Sequence, residues 1–236
     1  MAWTMPPGAV LGIFAKQPTP GQVKTRLAER YGPETAAAIH EAMLFDSLDL
    51  WGSGRFLDAS QARLVLVYQP EDAGPWFDQR VAANWALQPQ TSGDLGQRMR
   101  SFFEGELAEG ASKVVLIGSD SPTLDPSIVI SAFLCLEARD AALGPATDGG
   151  YYLVGCRNAV PPIFDGVAWG TSAVLGQTVD RLTGSGLSVG VLPPWCDIDR
   201  PDDWTMLQGH LRAMRLAGID PGLPRTEALA LALASK

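Results

Sequence analysis

The sequence predicts an α/β protein built on one doubly wound, mostly parallel sheet. Short runs rich in apolar and β-branched residues alternate with longer stretches whose apolar residues recur at helical spacing. Most residues of the strand-like runs are apolar, which is typical of strands covered by helices on both faces of a sheet. Because the chain has 236 residues and shows no linker or internal repeat, we expect one domain over residues 1–236.

Seven strand-like and five helix-like segments carry this prediction. The strands are expected at 9–15, 63–68, 84–87, 113–117, 141–143, 151–154 and 187–192. The helices are expected at 35–51, 95–107, 127–137, 172–183 and 201–216. The core of the domain therefore spans about 9–215. Residues 220–236 begin with Pro and Gly and continue as an Ala/Leu run, which predicts either a packed terminal helix or a frayed tail.

Composition excludes several classes of function. The formal net charge is −8, so most of the surface would repel DNA or RNA, and we expect no nucleic-acid partner. A basic cluster in such a chain favours a small anionic ligand paired with a metal cation. The three cysteines are far apart and form no CxxC pair, which favours a reduced, cytoplasmic location. No apolar run reaches the ~20 residues of a membrane span, and we expect no leader segment. Base rates alone allow a homodimer.

A basic loop follows the first predicted strand. Lys16, Lys24 and Arg26 fall within eleven residues, around a stiff turn that contains Pro20 and Gly21. Lys24 and Arg26 would open a helix, where free backbone N–H groups favour an anion. This pattern predicts phosphate binding, although a solvated turn is the alternative. The glycines of a P-loop or of G-x-G-x-x-G are missing.

An acidic turn follows the strand at 113–117. Asp120 comes at the carboxyl end of this strand, beside Ser119, and its carboxylate is suited to Mg²⁺ or Mn²⁺. The alternative is that Asp120 caps the next helix, but Asp125 before Pro126 is the better N-cap candidate. We therefore predict that Asp120 is a metal ligand, with a ribose contact as the alternative, and that Ser119 contacts a phosphate.

Further acidic residues follow later strands. Asp148 precedes Gly149 and Gly150, whose lack of side chains permits close backbone approach to an acceptor, and Asp148 is the candidate base. A simple Asp-Gly turn without a function is the alternative. Asp197 and Asp199 would point the same way in a continued strand, so one of them could be a second metal ligand.

Four other residues remain as binding candidates. Arg98 could reach a phosphate or sugar, or could merely follow a helix start capped by Asp94. Tyr151, Trp169 and Thr171 offer aromatic faces and hydroxyls of the kind an acceptor pocket uses, although Thr171 could be an N-cap. The two histidines, at positions 40 and 210, lie inside predicted helices and look unlike catalytic bases.

Six motifs occur in order between residues 10 and 204. They are FAKQPTPGQVKTRLA, GDLGQRM, VVLIGSDSPTL, GPATDGGYYLVG, WGTS and DIDRPDDW. Together they resemble the bacterial nucleotide-diphospho-sugar transferase family, which has the glycosyltransferase type A fold. More distantly they resemble the 2-phospholactate and molybdenum-cofactor guanylyltransferases. The resemblance implies a nucleotide donor and a divalent metal. The sequence departs from the usual Asp-x-Asp motif, because Asp120 is followed by Ser121 and Pro122.

Three functions are compatible with these features. The first expectation is glycosyl transfer from a nucleoside diphosphate sugar to a small acceptor, with Lys24 and Arg26 stabilising the leaving diphosphate. The second is nucleotidyl transfer from a nucleoside triphosphate to a sugar phosphate or phospho-acid, with release of pyrophosphate. The third is a non-catalytic nucleotide-binding module.

Overall fold

A seven-stranded sheet forms the centre of the protein in the computed structural model, which describes residues 8–234. The strand order is β3-β2-β1-β4-β6-β5-β7. All neighbouring strands run parallel except that β6 is antiparallel to both β4 and β5. The predicted α/β class with a mostly parallel sheet is therefore confirmed. The strands are β1 (Ala9–Lys16), β2 (Arg63–Gln69), β3 (Trp85–Pro89), β4 (Lys113–Gly118), β5 (Ala141–Pro145), β6 (Tyr151–Arg157) and β7 (Val189–Val191).

The direction of β6 follows from the short connection before it. Residues 146–150 are too few for the crossover that a parallel partner requires, so β6 turns back beside β5 as a hairpin. The amide of Ala146 donates to the carbonyl oxygen of Gly150 at 3.0 Å and closes this turn. The predicted acidic turn around Asp148 is thus a hairpin turn at the carboxyl end of β5.

Helices cover both faces of the sheet. They are α1 (Thr25–Tyr31), α2 (Pro33–Trp51), α3 (Gly54–Ser60), α4 (Gly74–Asp78), α5 (Leu95–Ala108), α6 (Pro126–Cys135), α7 (Val174–Gly184), α8 (Pro201–Leu216) and α9 (Pro224–Ala234). Side chains of α2, α3 and α6 share one apolar cluster with β1, β2 and β4. Side chains of α5 and α7 pack on the opposite face. A third cluster joins α1, α2 and α8 around the fully buried Trp204.

The last helix is tied to α2 by a buried carboxylate. Asp46 is fully buried and accepts hydrogen bonds from the amides of Thr226 at 2.8 Å and Arg225 at 3.2 Å. Of the two predictions for the C-terminal segment, the structure has a packed helix through Ala234. Residues 1–7 and 235–236 of the expected single domain lie outside the described residues, and its extent over the whole chain stays a prediction.

The strand order places the end of β1 next to the end of β4. From β1 the chain moves to β2 and β3 on one side, and then crosses to β4 on the other side. Ligands of open α/β sheets bind where the order reverses in this way, beyond the carboxyl ends of the strands. The basic loop and the acidic turn are the two segments that meet there. Over residues 8–234, none of the helices combines the length and the apolar character that a membrane crossing demands.

Candidate functional site

Lys24 joins the basic loop to two acidic segments at the point where the strand order reverses. Its Nζ lies 2.5 Å from Asp120 Oδ1 and 2.7 Å from Asp199 Oδ1. The Lys24 side chain is 3% exposed, whereas those of Asp120 and Asp199 are 40% and 42% exposed. Burial alone would lower the pKa of the Lys24 ammonium, but the two carboxylates outweigh burial and hold that pKa above its ordinary value.

Backbone geometry aims Lys24 inward. It is the residue before α1 and has a left-handed conformation, with φ 46° and ψ 45°. Left-handed backbone costs a non-glycine residue roughly 1–2 kcal/mol, so the two ion pairs compensate a local strain. The prediction that the loop leads into a helix holds for Thr25 onward. Lys24 itself pairs with two carboxylates, and phosphate binding by Lys24 stays a prediction.

Asp120 is oriented by the end of β4. The amide of Ile198 donates to the carbonyl oxygen of Asp120 at 2.8 Å, which holds the segment containing Asp197 and Asp199 beside it. The Oδ1 atom of Asp120 is buried against Lys24, so the exposed part of the Asp120 side chain comes from the rest of the carboxylate. Burial would raise the pKa of Asp120, but Lys24 holds it below the ordinary value. Asp125 caps α6 by accepting from the Ser127 amide, so Asp120 has no capping role.

His40 belongs to the same cluster and was not anticipated from the sequence. Its ring lies beneath the loop, with Nε2 donating to the carbonyl oxygen of Lys16 at 3.0 Å. Nδ1 lies 3.8 Å from Asp120 Oδ1 and has no hydrogen-bond partner among residues 8–234. Burial lowers the pKa of His40, so the neutral ring presents Nδ1 as an acceptor.

Asp197 is joined to the cluster through Ser121. Its carboxylate accepts a hydrogen bond from the hydroxyl of Ser121, the residue after Asp120. Burial raises the pKa of Asp197 to about 6, and the neighbouring Asp120 and Asp199 also raise it. Asp197 and Asp199 both line the larger cavity, but they make different contacts: Asp199 pairs with Lys24 and Asp197 with Ser121.

Two adjoining cavities meet at Lys24. The larger has a volume of about 690 Å³ and lies over β4 and β6; the smaller has about 270 Å³ and lies over the end of β1. Both are lined by Phe14, Lys24, Leu95 and Asp199. The ion-paired lysine therefore stands at the junction between the two spaces, where groups held in each could meet.

The predicted phosphate-binding residues are distributed unevenly around these cavities. Arg26 is exposed, lines the larger cavity and forms no ion pair with any residue the structure describes. Ser119 is buried and lines the smaller cavity, as does Lys16, whose Nζ donates to the carbonyl oxygen of Gln22. Pro20 and Gly21 are exposed and are absent from the lining of both cavities, and phosphate contact at this turn stays a prediction.

Arg98 is engaged within the protein instead of facing either cavity. Its Nη1 donates to the amide oxygens of Gln69 at 2.9 Å and Gln90 at 3.1 Å, beyond the ends of β2 and β3. The alternative reading of this segment as a helix start is correct, because Asp94 caps α5 and forms a capping box with Gln97. Of these residues, Gln90 lines the smaller cavity.

The hairpin turn brings Asp148 and Gly150 to the larger cavity. Asp148 is exposed, and its Oδ1 accepts from the amide of Gly150 at 2.8 Å, which is the contact of a simple Asp-Gly turn. Gly149 has φ 93°, and a Cβ there would lie 2.5 Å from the backbone oxygen of Ser172. The close backbone approach at Gly149 is to Ser172 of the same chain, and contact of Gly149 with an acceptor stays a prediction.

The aromatic candidates form one wall of the larger cavity. Tyr151 and Trp169 pack edge to face, with ring centroids 6.2 Å apart, and both line the cavity. Burial raises the pKa of the Tyr151 hydroxyl. Thr171 also lines the cavity, while its hydroxyl donates to the carbonyl oxygen of Ala168 and accepts from the amide of Ala173. Thr171 thus stabilises the turn before α7 as well as facing the space.

Arg200 is a second cationic side chain of the larger cavity that the sequence did not single out. It follows Asp199 and precedes α8, where the Asp203 carboxylate accepts from its amide at 2.7 Å. Like Arg26, it is exposed, and its guanidinium forms no ion pair in the described part of the chain. The larger cavity therefore carries two uncompensated guanidinium groups.

The acidic residues offer a donor set that suits a hard cation. Within residues 8–234, no group of three or more His, Cys, Asp or Glu side chains is arranged to hold a metal ion. However, Asp120 and Asp199 already direct one oxygen each at a single cation, the Lys24 ammonium. Carboxylate oxygens converging on one positive charge are the ligands that Mg²⁺ and Mn²⁺ take in proteins. Asp120, Asp197 and Asp199 as metal ligands remain a prediction.

Comparison with known proteins identifies relatives of the whole fold. Residues 54–171 match the family described as "Uncharacterized protein conserved in bacteria (DUF2064)". A crystal structure of a "putative nucleotide-diphospho-sugar transferase" from Desulfovibrio desulfuricans G20 is 33% identical, with a TM-score of 0.79 over 95% of this chain and 97% of that chain. The resemblance expected from the six motifs is confirmed.

Two further relatives concern nucleotide chemistry. The 3-phospho-D-glycerate guanylyltransferase of Phenylobacterium zucineum is 33% identical over 145 residues, which are 58% of this chain. The match spans 62% of that relative, less than two thirds of its length. The inositol-1-phosphate CTP transferase of T. maritima shares the fold, with a TM-score of 0.51 and 16% identity over 83% of this chain and 92% of that chain. Both are named as transferases, as is the Desulfovibrio structure, and the expectation of a transferase agrees with these names.

Proposed function

Since the chain belongs to the bacterial DUF2064 family, we propose that it is a nucleotidyltransferase that joins a nucleoside monophosphate to a small phosphorylated acid. The observation that carries the proposal is the meeting of Lys24, Asp120 and Asp199 at the junction of two cavities. The nucleotide chemistry named for the 33%-identical relative supports this choice over glycosyl transfer, which was the first expectation from the sequence. It also makes GTP the first donor to test.

The two cavities suit two phosphorylated substrates. The smaller cavity, with Lys16 and Ser119, lies beside the basic loop and would hold phosphates of the nucleotide. The larger cavity, with Arg26, Arg200 and the Tyr151–Trp169 wall, would hold the acceptor. Two guanidinium groups without described ion-pair partners match an acceptor that carries both a phosphate and a carboxylate.

The reaction would be a displacement at the α-phosphorus of the nucleoside triphosphate. A phosphate oxygen of the acceptor attacks this phosphorus, the bond to the bridging oxygen of the β-phosphate breaks, and pyrophosphate leaves with the electron pair. The product contains a new P–O–P linkage. A phosphate nucleophile is already ionised, so the reaction needs positioning and charge stabilisation more than a strong base. Arg26 would stabilise the charge that develops on the phosphates.

A divalent cation would be held by Asp120 together with Asp197 or Asp199, with the remaining ligands from substrate phosphates and water. When bound, Mg²⁺ or Mn²⁺ supplies neutralising charge to the phosphate oxygens. The chain's own part is to present these carboxylates from two segments that the Ile198–Asp120 backbone hydrogen bond holds together.

Glycosyl transfer is the second candidate, and the position of Asp148 in the larger cavity favours it. Asp148 lines the larger cavity beside Tyr151 and Trp169, where a sugar ring and an acceptor hydroxyl could be placed. Its Oδ1 is engaged by the Gly150 amide, so the other oxygen would have to act as the base. A cytoplasmic location, consistent with three free cysteines, belongs to the same proposal; a homodimer remains a prediction.

Pyrophosphate release separates the two reactions. The protein would be incubated with each common nucleoside triphosphate, Mg²⁺ and a panel of phosphorylated acids and sugar phosphates. We expect pyrophosphate with one triphosphate and a phosphorylated acid, and about a 10²-fold loss of kcat in Arg26→Gln. The control is Arg30→Gln, an exposed arginine of the same helix that lines neither cavity. Nucleoside diphosphate release from a nucleotide sugar, with no pyrophosphate from any triphosphate, would establish the glycosyl alternative instead.

A further inference from the structure

Lys24 provides the one positive charge that Asp120 and Asp199 share in the described structure. Both ion pairs use the Oδ1 atoms, at 2.5 and 2.7 Å from Nζ. Because the Lys24 side chain is 3% exposed, its ammonium contacts these oxygens from the protein interior. Lys24 was expected to bind phosphate and the aspartates to bind metal, yet these groups satisfy each other.

We infer that the Lys24 ammonium and a divalent cation are alternative, mutually exclusive counter-ions of Asp120 and Asp199. This inference rests on the divalent cation of the proposed function. Mg²⁺ requires oxygen ligands at about 2.0–2.1 Å, and the Oδ1 atoms that Lys24 occupies are the ones the two carboxylates direct at a common point. An ammonium left within ~4 Å of a divalent cation would be strongly repelled in a partly buried site. Metal binding therefore displaces Lys24.

Displacement places the lysine where the proposed substrates meet. Lys24 lines both cavities, so an ammonium released from the carboxylates becomes available to a phosphate in either space. Lys24 has a left-handed backbone at φ 46°, a conformation that costs a non-glycine residue free energy, so movement of Lys24 out of it is favourable. The metal thus converts Lys24 from a structural counter-ion into a phosphate ligand, and metal and nucleotide binding become mutually reinforcing.

Mn²⁺ affinity of the full chain tests the competition without any measurement of activity. Free Mn²⁺ would be followed by its electron paramagnetic resonance signal in Lys24→Met and in the unaltered protein. We expect Lys24→Met to bind Mn²⁺ at least about tenfold more tightly, since the competing charge is gone. Lys16→Met is the matched control: this lysine is in the same loop, but its Nζ donates to a carbonyl oxygen and not to a carboxylate. Its Mn²⁺ affinity should change less than about twofold.

Two further measurements cover the case in which Lys24→Met fails to fold. Lys24→Arg keeps the charge, so it should bind Mn²⁺ no more tightly than the unaltered protein. In the unaltered protein, acylation of lysines read by mass spectrometry should modify Lys24 slowly without Mn²⁺ and at least about fivefold faster with it, because displacement exposes the amine. Unchanged or weaker Mn²⁺ binding in folded Lys24→Met, or a Lys24 that stays protected at saturating Mn²⁺, overturns the inference. Neither readout depends on pyrophosphate release, so failure of the proposed reaction is recognised separately.

Discussion

Replacing Gly149 by alanine should destabilise the protein more than the same replacement at any other left-handed glycine near the larger cavity. At φ 93° an alanine would be strained by roughly 1–2 kcal/mol. Its Cβ would also lie 2.5 Å from the oxygen and 2.6 Å from the Cα of Ser172, backbone atoms that cannot rotate away. Overpacking of this kind typically costs about 1–3 kcal/mol. The two contributions give a loss of roughly 2–5 kcal/mol in the free energy of unfolding.

Urea denaturation followed by circular dichroism would measure this loss. Gly170→Ala is the matched control, since Gly170 has φ 79° but a Cβ there would meet nothing within 4 Å. It should lose only the strain of about 1–2 kcal/mol. If both variants lose the same stability, the contact between the hairpin turn and Ser172 is unimportant. In a folded Gly149→Ala protein, displacement of Ser172 should also raise the KM for the acceptor more than that for the nucleotide.

Three other predictions concern the fold and the loop. Asp46→Ala should lower the free energy of unfolding by about 2–4 kcal/mol, because the buried amide of Thr226 loses its acceptor. Limited proteolysis should then release the C-terminal helix. Asp49→Ala, at an exposed carboxylate, is the control and should cost less than ~1 kcal/mol. Cys156 is buried with a pKa raised to about 12, so iodoacetamide at pH 8 should leave it unmodified in the native protein; modification as fast as at half-buried Cys135 would contradict this. Lys16→Ala should weaken nucleotide binding in calorimetry, and unchanged affinity would remove Lys16 from the site.

Strand positions were predictable from the sequence because they depend on local patterns. The inner residues of β1, β2 and β4 are apolar, and Asp120 comes two residues after the end of β4. The direction of β6 was not predicted, because an apolar run has no polarity of its own; the short hairpin turn decides it. The short helices α3 and α4 were also missed, since seven and five residues are too few to display a helical period.

Which residues form the site was easier to predict from the sequence than which of them form ion pairs with each other. The rule that ligands bind beyond strand ends selected Lys24, Asp120 and Asp199 from three separate loops. It could not indicate that the lysine would neutralise the aspartates, because that depends on a left-handed residue and on distances between distant segments. His40 was missed for a similar reason: it sits within α2, and only the tertiary fold brings that helix under the end of β1. Arg200 gave no signal beyond its place after Asp199.

The fate of the α-phosphate tests the proposed nucleotidyl transfer most directly. GTP labelled with ³²P at the α-position would be incubated with the protein, Mg²⁺ and 3-phosphoglycerate, and the products separated by chromatography. We predict that the label appears in a product containing both the nucleotide and the acid, in equal amount to the pyrophosphate released, and that Asp120→Asn abolishes this product. Label that remains in GTP with every phosphorylated acid, under conditions in which a nucleotide sugar is consumed, would contradict the proposal.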